Sequence, residues 1–324
     1  MTSTASLNRT TAGVLFGVTS SVAFGAGGPF AKALIAAGFS PLQAVWMRLI
    51  GTVVVLVSVC LVLRRPGQLA TMARYKWPIL TYGLVAVAAC QSLYFVAASR
   101  LPVGIAILLE FTGPVLVVLY QRLILRKHVR RTAFLGIGLA MVGLCFVVEI
   151  WSGLSLDALG LTCGLGAAAG NAAYFLIIDR LTGSADPLAI TTVGMLVACV
   201  VLVPLALPWN APWHVLGDSI ALASHAIPGW LVALALVLLS TVISYVFGGM
   251  AVQRLSAPVA AGLAYVEPVS ACVIAWVLLG QRLSAIQITG GVVVLLGAYI
   301  AQSSAAPAAE VLAVSVEPVS PLGK

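Results

Sequence analysis

Apolar stretches of 18 or more residues follow one another along nearly the whole chain, separated by short segments that hold most of its lysines and arginines. A helix rises about 1.5 Å per residue, so roughly 20 such residues cross the hydrocarbon core of a bilayer. With no water there to satisfy N–H and C=O groups, the backbone must satisfy itself within each segment, as a helix does. A soluble domain would carry roughly 25% charged residues; this chain of 324 carries 8%, against 61% hydrophobic, and no single aqueous core absorbs that much apolar surface. The sequence therefore reads as an all-α, polytopic membrane protein whose constant partner is the lipid bilayer. The net charge of +8 is a topology signal rather than a nucleic-acid footprint, because the basic residues sit mostly between the apolar runs.

Turn signals divide the chain into ten expected transmembrane helices, at about 12–36, 41–63, 77–98, 102–124, 132–150, 157–178, 187–207, 228–252, 257–279 and 285–302. The first run is too long for a signal peptide and contains Lys32, so it counts as a span. With the N-terminus cytoplasmic, Arg64, Arg65, Arg74, Lys76, Arg122, Arg126, Lys127, Arg130, Arg131, Arg180 and Arg254 fall inside, and Arg100 and Arg282 fall outside. The outer side then receives Glu149, Asp157, Asp218 and a belt of Trp151, Trp209, Trp213 and Trp230. Both termini are expected in the cytoplasm, at an inner or plasma membrane.

Features recur between the halves at an offset near 150 residues. Arg100, Leu101, Pro102 and Val103 precede Glu110 and Pro114; Arg254, Leu255, Pro258 and Val259 precede Glu267 and Pro268. Gly136 and Gly143 match Gly290 and Gly297, and Pro41-Leu42 matches Pro187-Leu188. Five spans per half is an odd number, so the second half would enter the membrane upside down, giving two inverted five-helix repeats. The expected organisation is a first repeat over 1–150, a second over 151–302, and a disordered cytoplasmic tail over 303–324.

The run LLEFTGPVLVVL, 108–119, sets Glu110 among apolar residues. Eight residues past Pro102 places it about 12 Å into the bilayer, and Glu267 reaches a similar depth. A charge there costs roughly 2.5–3.5 kcal/mol on insertion scales and faces a bundle interior or a water-filled cavity. Each neighbouring proline lacks an N–H and frees a carbonyl one turn earlier. The competing reading is a protonated side chain bonded to the next helix. Lys32 lies near the outer end and can snorkel, whereas Arg48 is deeper and reads as a counter-ion or substrate anchor. Gln91 and Tyr94, Asn171 and Tyr174, and Ser244 and Tyr245 complete the candidate substrate and proton cavity, each also readable as interhelical glue. GAGG at 25–28 and GAAAG at 166–170 read as small-residue packing ridges.

The runs QSLYFVAASRLPVGIAILLEFTGPVLVVL (91–119) and APVAAGLAYVEPVSACVIAWVLLGQRLSAIQITGGVVVLLGAYIAQ (257–302) resemble the EamA family of the drug/metabolite transporter superfamily, the first being similar to its amino-acid exporter branch. The resemblance spans nearly the whole chain and implies export of small metabolites. Lys32 and Arg48 stand where that family often has basic residues. The chain departs from it at Gln281, where many members have glutamate, and at the matching Arg126.

The resulting expectation is a secondary exporter of small metabolites, amino acids first, working by alternating access and coupled to protons. Efflux of lipophilic cations and an uptake porter are the alternatives within transport. A membrane-embedded enzyme is disfavoured: His128, His214 and His225 all fall in loops, and no HExxH or Walker A motif occurs. Cys60, Cys90, Cys145, Cys163, Cys199 and Cys272 are spread through the spans as small core residues, with no metal site, disulfide framework or cofactor expected. Oligomeric state is open.

Overall fold

The computed structural model describes residues 2–62, 76–126, 130–149, 151, 156–181, 187–222, 225–252, 254–255 and 262–304. Arg64, Arg65, Arg74, Lys127, His128, Pro258, Val259 and the segment 305–324 lie outside the described residues, as do the side chains of Arg180, Pro187 and Leu188. The described chain is almost entirely helical. In order come α1 (Thr2–Gly25), α2 (Gly27–Ala36), α3 (Pro41–Val62), α4 (Lys76–Thr81), a π-helical segment (Tyr82–Ala89), α5 (Cys90–Arg100), α6 (Val103–Glu110), α7 (Gly113–Leu123), α8 (Arg131–Val148), α9 (Ala158–Leu181) and α10 (Pro187–Ala206). After a loop follow α11 (Gly229–Leu234), a second π-helical segment (Ala235–Ile243), α12 (Ser244–Val252), α13 (Val266–Leu279) and α14 (Ala285–Ser304).

Joined end to end, these helices make eight rods long and apolar enough to cross a membrane, while Ile190–Ala206 and Ala285–Ala301 are apolar but shorter. Polar residues mark where helices begin. Ser40 and Gln43 exchange side-chain bonds with each other's amides at the start of α3, and Ser284 and Gln287 do the same before α14. Asp157 accepts from the Gly160 amide at 2.6 Å and pairs with Arg100 at 3.2 Å, tying the end of α5 to the start of α9. First the Gly160 amide and then the Arg100 charge hold the Asp157 carboxyl below the usual range. Gly280 ends α13 in the left-handed region, at φ 64°, where a side chain would be strained.

The loop before α11 is more ordered than the sequence reading allows. It folds into short 3-10 turns at Pro208–Asn210 and Trp213–Leu216, then an antiparallel hairpin of β1 (Ser219–Leu222) with β2 (His225–Pro228). Ile220 and Leu222 alternate with exposed Ser219 and Ala221, so one face of the strand closes over the bundle end beside α2. A four-residue alternation is too short to be told from loop in sequence.

Four glycines fix the closest helix pair. A methyl group at Gly136 would lie 2.6 Å from the Gly297 carbonyl, and one at Gly143 would lie 2.7 Å from the Gly290 carbonyl. The reciprocal contacts hold: Gly290 faces Gly143, and Gly297 faces Gly136. The residues matched between halves in the sequence thus meet face to face, with α8 and α14 antiparallel and backbone against backbone. Because the obstructing atoms are main chain, no rotamer change makes room. Gly138, in contrast, faces nothing within 4 Å. Gly143→Val is expected to abolish the monodisperse detergent-solubilised protein, while Gly138→Ala leaves the melting temperature unchanged or raised, since alanine gains up to about 1 kcal/mol in helix propensity. Size-exclusion chromatography and thermal melting of the two variants check this.

Candidate functional site

The central feature is Arg48, on α3, only 6% exposed. Its Nε donates to Thr241 Oγ1 at 2.7 Å, its Nη1 to Gln91 Oε1 at 3.0 Å, and its Nη2 to the Ser240 carbonyl at 3.5 Å. The guanidinium carbon also stands 5.7 Å from the centre of the Phe95 ring. Ser240 and Thr241 belong to the second π-helical segment, and Gln91 lies just past the first. The wide turns of π segments displace side chains from the regular helical register and concentrate at functional sites. One side chain on α3 is thereby held by the second π-helical segment and by the helix that follows the first.

Glu110 is the last residue of α6. Pro114 removes the N–H that would have bonded its carbonyl, so the helix breaks at Phe111 and Thr112 and resumes at Gly113. Asn171 Nδ2 from α9 approaches the freed carbonyl at 3.5 Å. The Glu110 side chain accepts a weak bond from Cys90 Sγ at 3.6 Å. Cys90 and Gln91 are consecutive, so the start of α5 holds Glu110 with one residue and Arg48 with the next. Gly170 permits this, because a methyl group there would lie 2.6 Å from Cys90 Cβ.

Glu267 is the second residue of α13, beyond another break, and Pro268 follows it. Ser270 Oγ donates to its carbonyl at 2.8 Å. The two breaks touch through Phe111 and Tyr265, whose rings meet edge to face at 5.9 Å. A third break, at Ala26, separates α1 from α2 and precedes Pro29. Here GAGG does more than pack: methyl groups would lie 2.8 Å from the Glu267 carbonyl at Gly25, 3.7 Å from Arg48 Nη1 at Gly27, and overlapping the Tyr94 hydroxyl at Gly28. The absence of three side chains lets one face of the break pack directly against these groups.

Arg48 lies within electrostatic reach of Tyr245, Glu267, Tyr94 and Glu110, and the two glutamates sense each other. Among the described residues none of these carboxylates lies within ion-pair distance of the guanidinium. A buried cation held by neutral acceptors beside two half-buried carboxyl groups is an arrangement that can exchange protons and bind charged solutes.

Most of the residues singled out from the sequence come together here. Arg48 and Gln91 are bonded, Tyr94 and Tyr245 flank Arg48, and Asn171 reaches Glu110 through its main chain. Tyr174 sits one layer away, its ring 6.0 Å from that of Tyr82. Lys32 stands apart: its Nζ donates to the Leu101 carbonyl at the end of α5. Gln281, in the place of the family's glutamate, accepts from the Val103 amide at 2.9 Å and so caps α6. Ser240, Thr241, Phe95 and Cys90 escaped the sequence reading. Hydroxyls and a thiol inside apolar runs are the only signal they leave, and GAGG gives none beyond small size.

Helices broken at prolines around buried charges define a helical membrane transporter. The comparisons agree. The EamA-like transporter family matches residues 11–149 and 158–302, and the chain belongs to that family. It is 31% identical over 242 residues, 74% of each chain, to the threonine/homoserine exporter RhtA of Escherichia coli K12. It is 30% identical over 230 residues, 69% of this chain and 70% of the other, to the RhtA of Salmonella typhimurium LT2. The uncharacterized transporter YwfM of Bacillus subtilis matches at 23% over 238 residues, 72% of this chain and 75% of that one. A solved crystal structure shares the fold, with a TM-score of 0.56 at 18% identity, over 90% of this chain and 97% of that one.

Arg48 and Lys32 should separate in experiment. Lys32→Gln removes one charged donor from a carbonyl, a loss of about 1–2 kcal/mol, and is expected to lower the melting temperature while transport persists. Arg48→Ala should eliminate transport by protein that still reaches the membrane, as measured by flux normalised to surface protein.

Proposed function

We propose that the chain is a proton-coupled exporter of small amino acids, built from ten spans in two inverted five-helix repeats and working by alternating access. The observation that carries this reading is the trio of buried Arg48 with Glu110 and Glu267, the two glutamates set at helix breaks and all three sharing one electrostatic environment. A zwitterion carries one charge of each sign, and the trio offers a complement to both. Glu110 is assigned the substrate ammonium: its helix ends at that residue, Gly113 and Pro114 follow, and the thiol of Cys90 is a weak, readily displaced partner. Glu110 is assigned the proton as well, taken up as the ammonium leaves, and Glu267 shares its electrostatic environment. The exporters named above for threonine and homoserine support the amino-acid class, and the paired features of the two halves support the inverted plan. The face-to-face glycines of α8 and α14 and the two π-helical segments are among those pairs. The distribution of lysine and arginine supports cytoplasmic termini.

Efflux of lipophilic cations is the second transport reading, and Arg48 disfavours it, because a buried guanidinium beside the carboxylates repels a ligand with positive charge alone. In the proton cycle, a substrate ammonium arriving at Glu110 favours the carboxylate over the acid. A proton taken up from the outer side afterwards restores the neutral form and releases the substrate. Glu110→Gln keeps shape and hydrogen bonding and removes the titratable group. Reconstituted in liposomes, this variant is expected to lose at least nine-tenths of the threonine flux driven by an imposed pH gradient. Wild-type flux with unchanged pH dependence would return Glu110 to a packing role.

A further inference from the structure

From this amino-acid reading we infer that Arg48 and Tyr94 form the subsite for the substrate's carboxylate, making a free carboxylate obligatory for recognition. A guanidinium has five N–H donors. Three are used: Nε on Thr241, one on Gln91 and one, at 3.5 Å, on the Ser240 carbonyl. Each terminal nitrogen therefore keeps one N–H with no partner among the described residues. These remaining donors belong to a planar fork that matches a carboxylate.

The second observation is independent. The Tyr94 hydroxyl is buried, the residue being 6% exposed, and has no hydrogen-bond partner among the described residues. An orphaned buried hydroxyl is costly, and a ligand oxygen is one way to satisfy it. Tyr94 and Arg48 face adjacent residues: the Tyr94 hydroxyl fills the place of a side chain at Gly28, and Arg48 Nη1 lies 3.7 Å from the corresponding place at Gly27. The guanidinium and the hydroxyl thus stand side by side along one glycine-paired stretch of α2. Phe95 covers the guanidinium at 5.7 Å, and Thr241 and Gln91 hold its orientation. Glu110 and Glu267, within reach of the same guanidinium, receive the opposite end of the ligand.

The chemistry recognised is a compact carboxylate bearing a nearby ammonium. Amines, esters and amides lacking the anion leave the fork and the hydroxyl unpaired, a defect that separates ligands by tenfold or more.

The test uses the full-length protein in liposomes with radiolabelled L-threonine, competed by unlabelled L-threonine, L-threonine methyl ester and L-threoninamide. Threonine should compete at least tenfold better than either neutralised analogue. Arg48→Lys keeps the charge and loses the fork, and Tyr94→Phe loses only the hydroxyl. Both should raise KM for threonine and shrink the gap between acid and ester, Tyr94→Phe with little change in the amount of folded protein. Equal competition by acid and ester in the wild type, or an unchanged KM in both variants, would overturn the assignment. If threonine is not transported at all, the melting temperature of the solubilised protein with 2-hydroxybutyrate separates the two claims. An Arg48-dependent rise retains the carboxylate subsite and rejects the amino-acid reading, and no rise rejects both.

Discussion

The burial of Arg48 without an ionic partner among the described residues sets conditions that the surrounding architecture must meet. A guanidinium at mid-bilayer depth is costly unless its donors are occupied, and here neutral acceptors from two separate rods occupy three of them. Thr241 passes the interaction on to the Leu236 carbonyl at 3.2 Å, inside the second π-helical segment. Thr52, one turn along α3, donates back to the Arg48 carbonyl at 2.8 Å. The charge is thus fixed in position while its field remains uncancelled by any paired carboxylate among the described residues, and that leaves it available to a solute.

Small residues make such closeness possible. Between α8 and α14 they bring two backbones together, main chain against main chain. Around the site they do the opposite, withdrawing side chains so that α2 can face Arg48 and Tyr94. Proline adds the third ingredient, freeing carbonyls at the breaks where Glu110 and Glu267 stand.

Much of this is legible in the chain itself. Apolar run length gives the helices, and a carboxylate inside such a run announces its own importance, so Glu110, Glu267 and Arg48 stand out without a structure. The repeated glycine spacing is visible as well, although that Gly136 meets Gly297 and Gly143 meets Gly290 is a tertiary fact. The π-helical segments leave no periodic signature in uniformly apolar sequence. Neither does the role of Lys32, since snorkelling and capping a carbonyl ask the same side chain for the same reach. Cys90 looks like any small core residue until α9 brings Gly170 against it and α6 brings Glu110 within 3.6 Å. The hairpin at 219–228 is set by burial against α2, which local pattern does not encode.

The central proposal is that substrate and proton share the one set of charges formed by Arg48, Glu110 and Glu267. Mixing purified, solubilised protein with L-threonine in a weakly buffered solution containing a pH indicator tests it without any membrane gradient. An ammonium arriving beside a neutral carboxyl group expels its proton, so acidification that saturates with threonine and vanishes in the Glu110→Gln, Glu267→Gln double variant is the predicted result. Threonine binding, established by calorimetry, with no proton release between pH 6 and pH 8 would contradict the account.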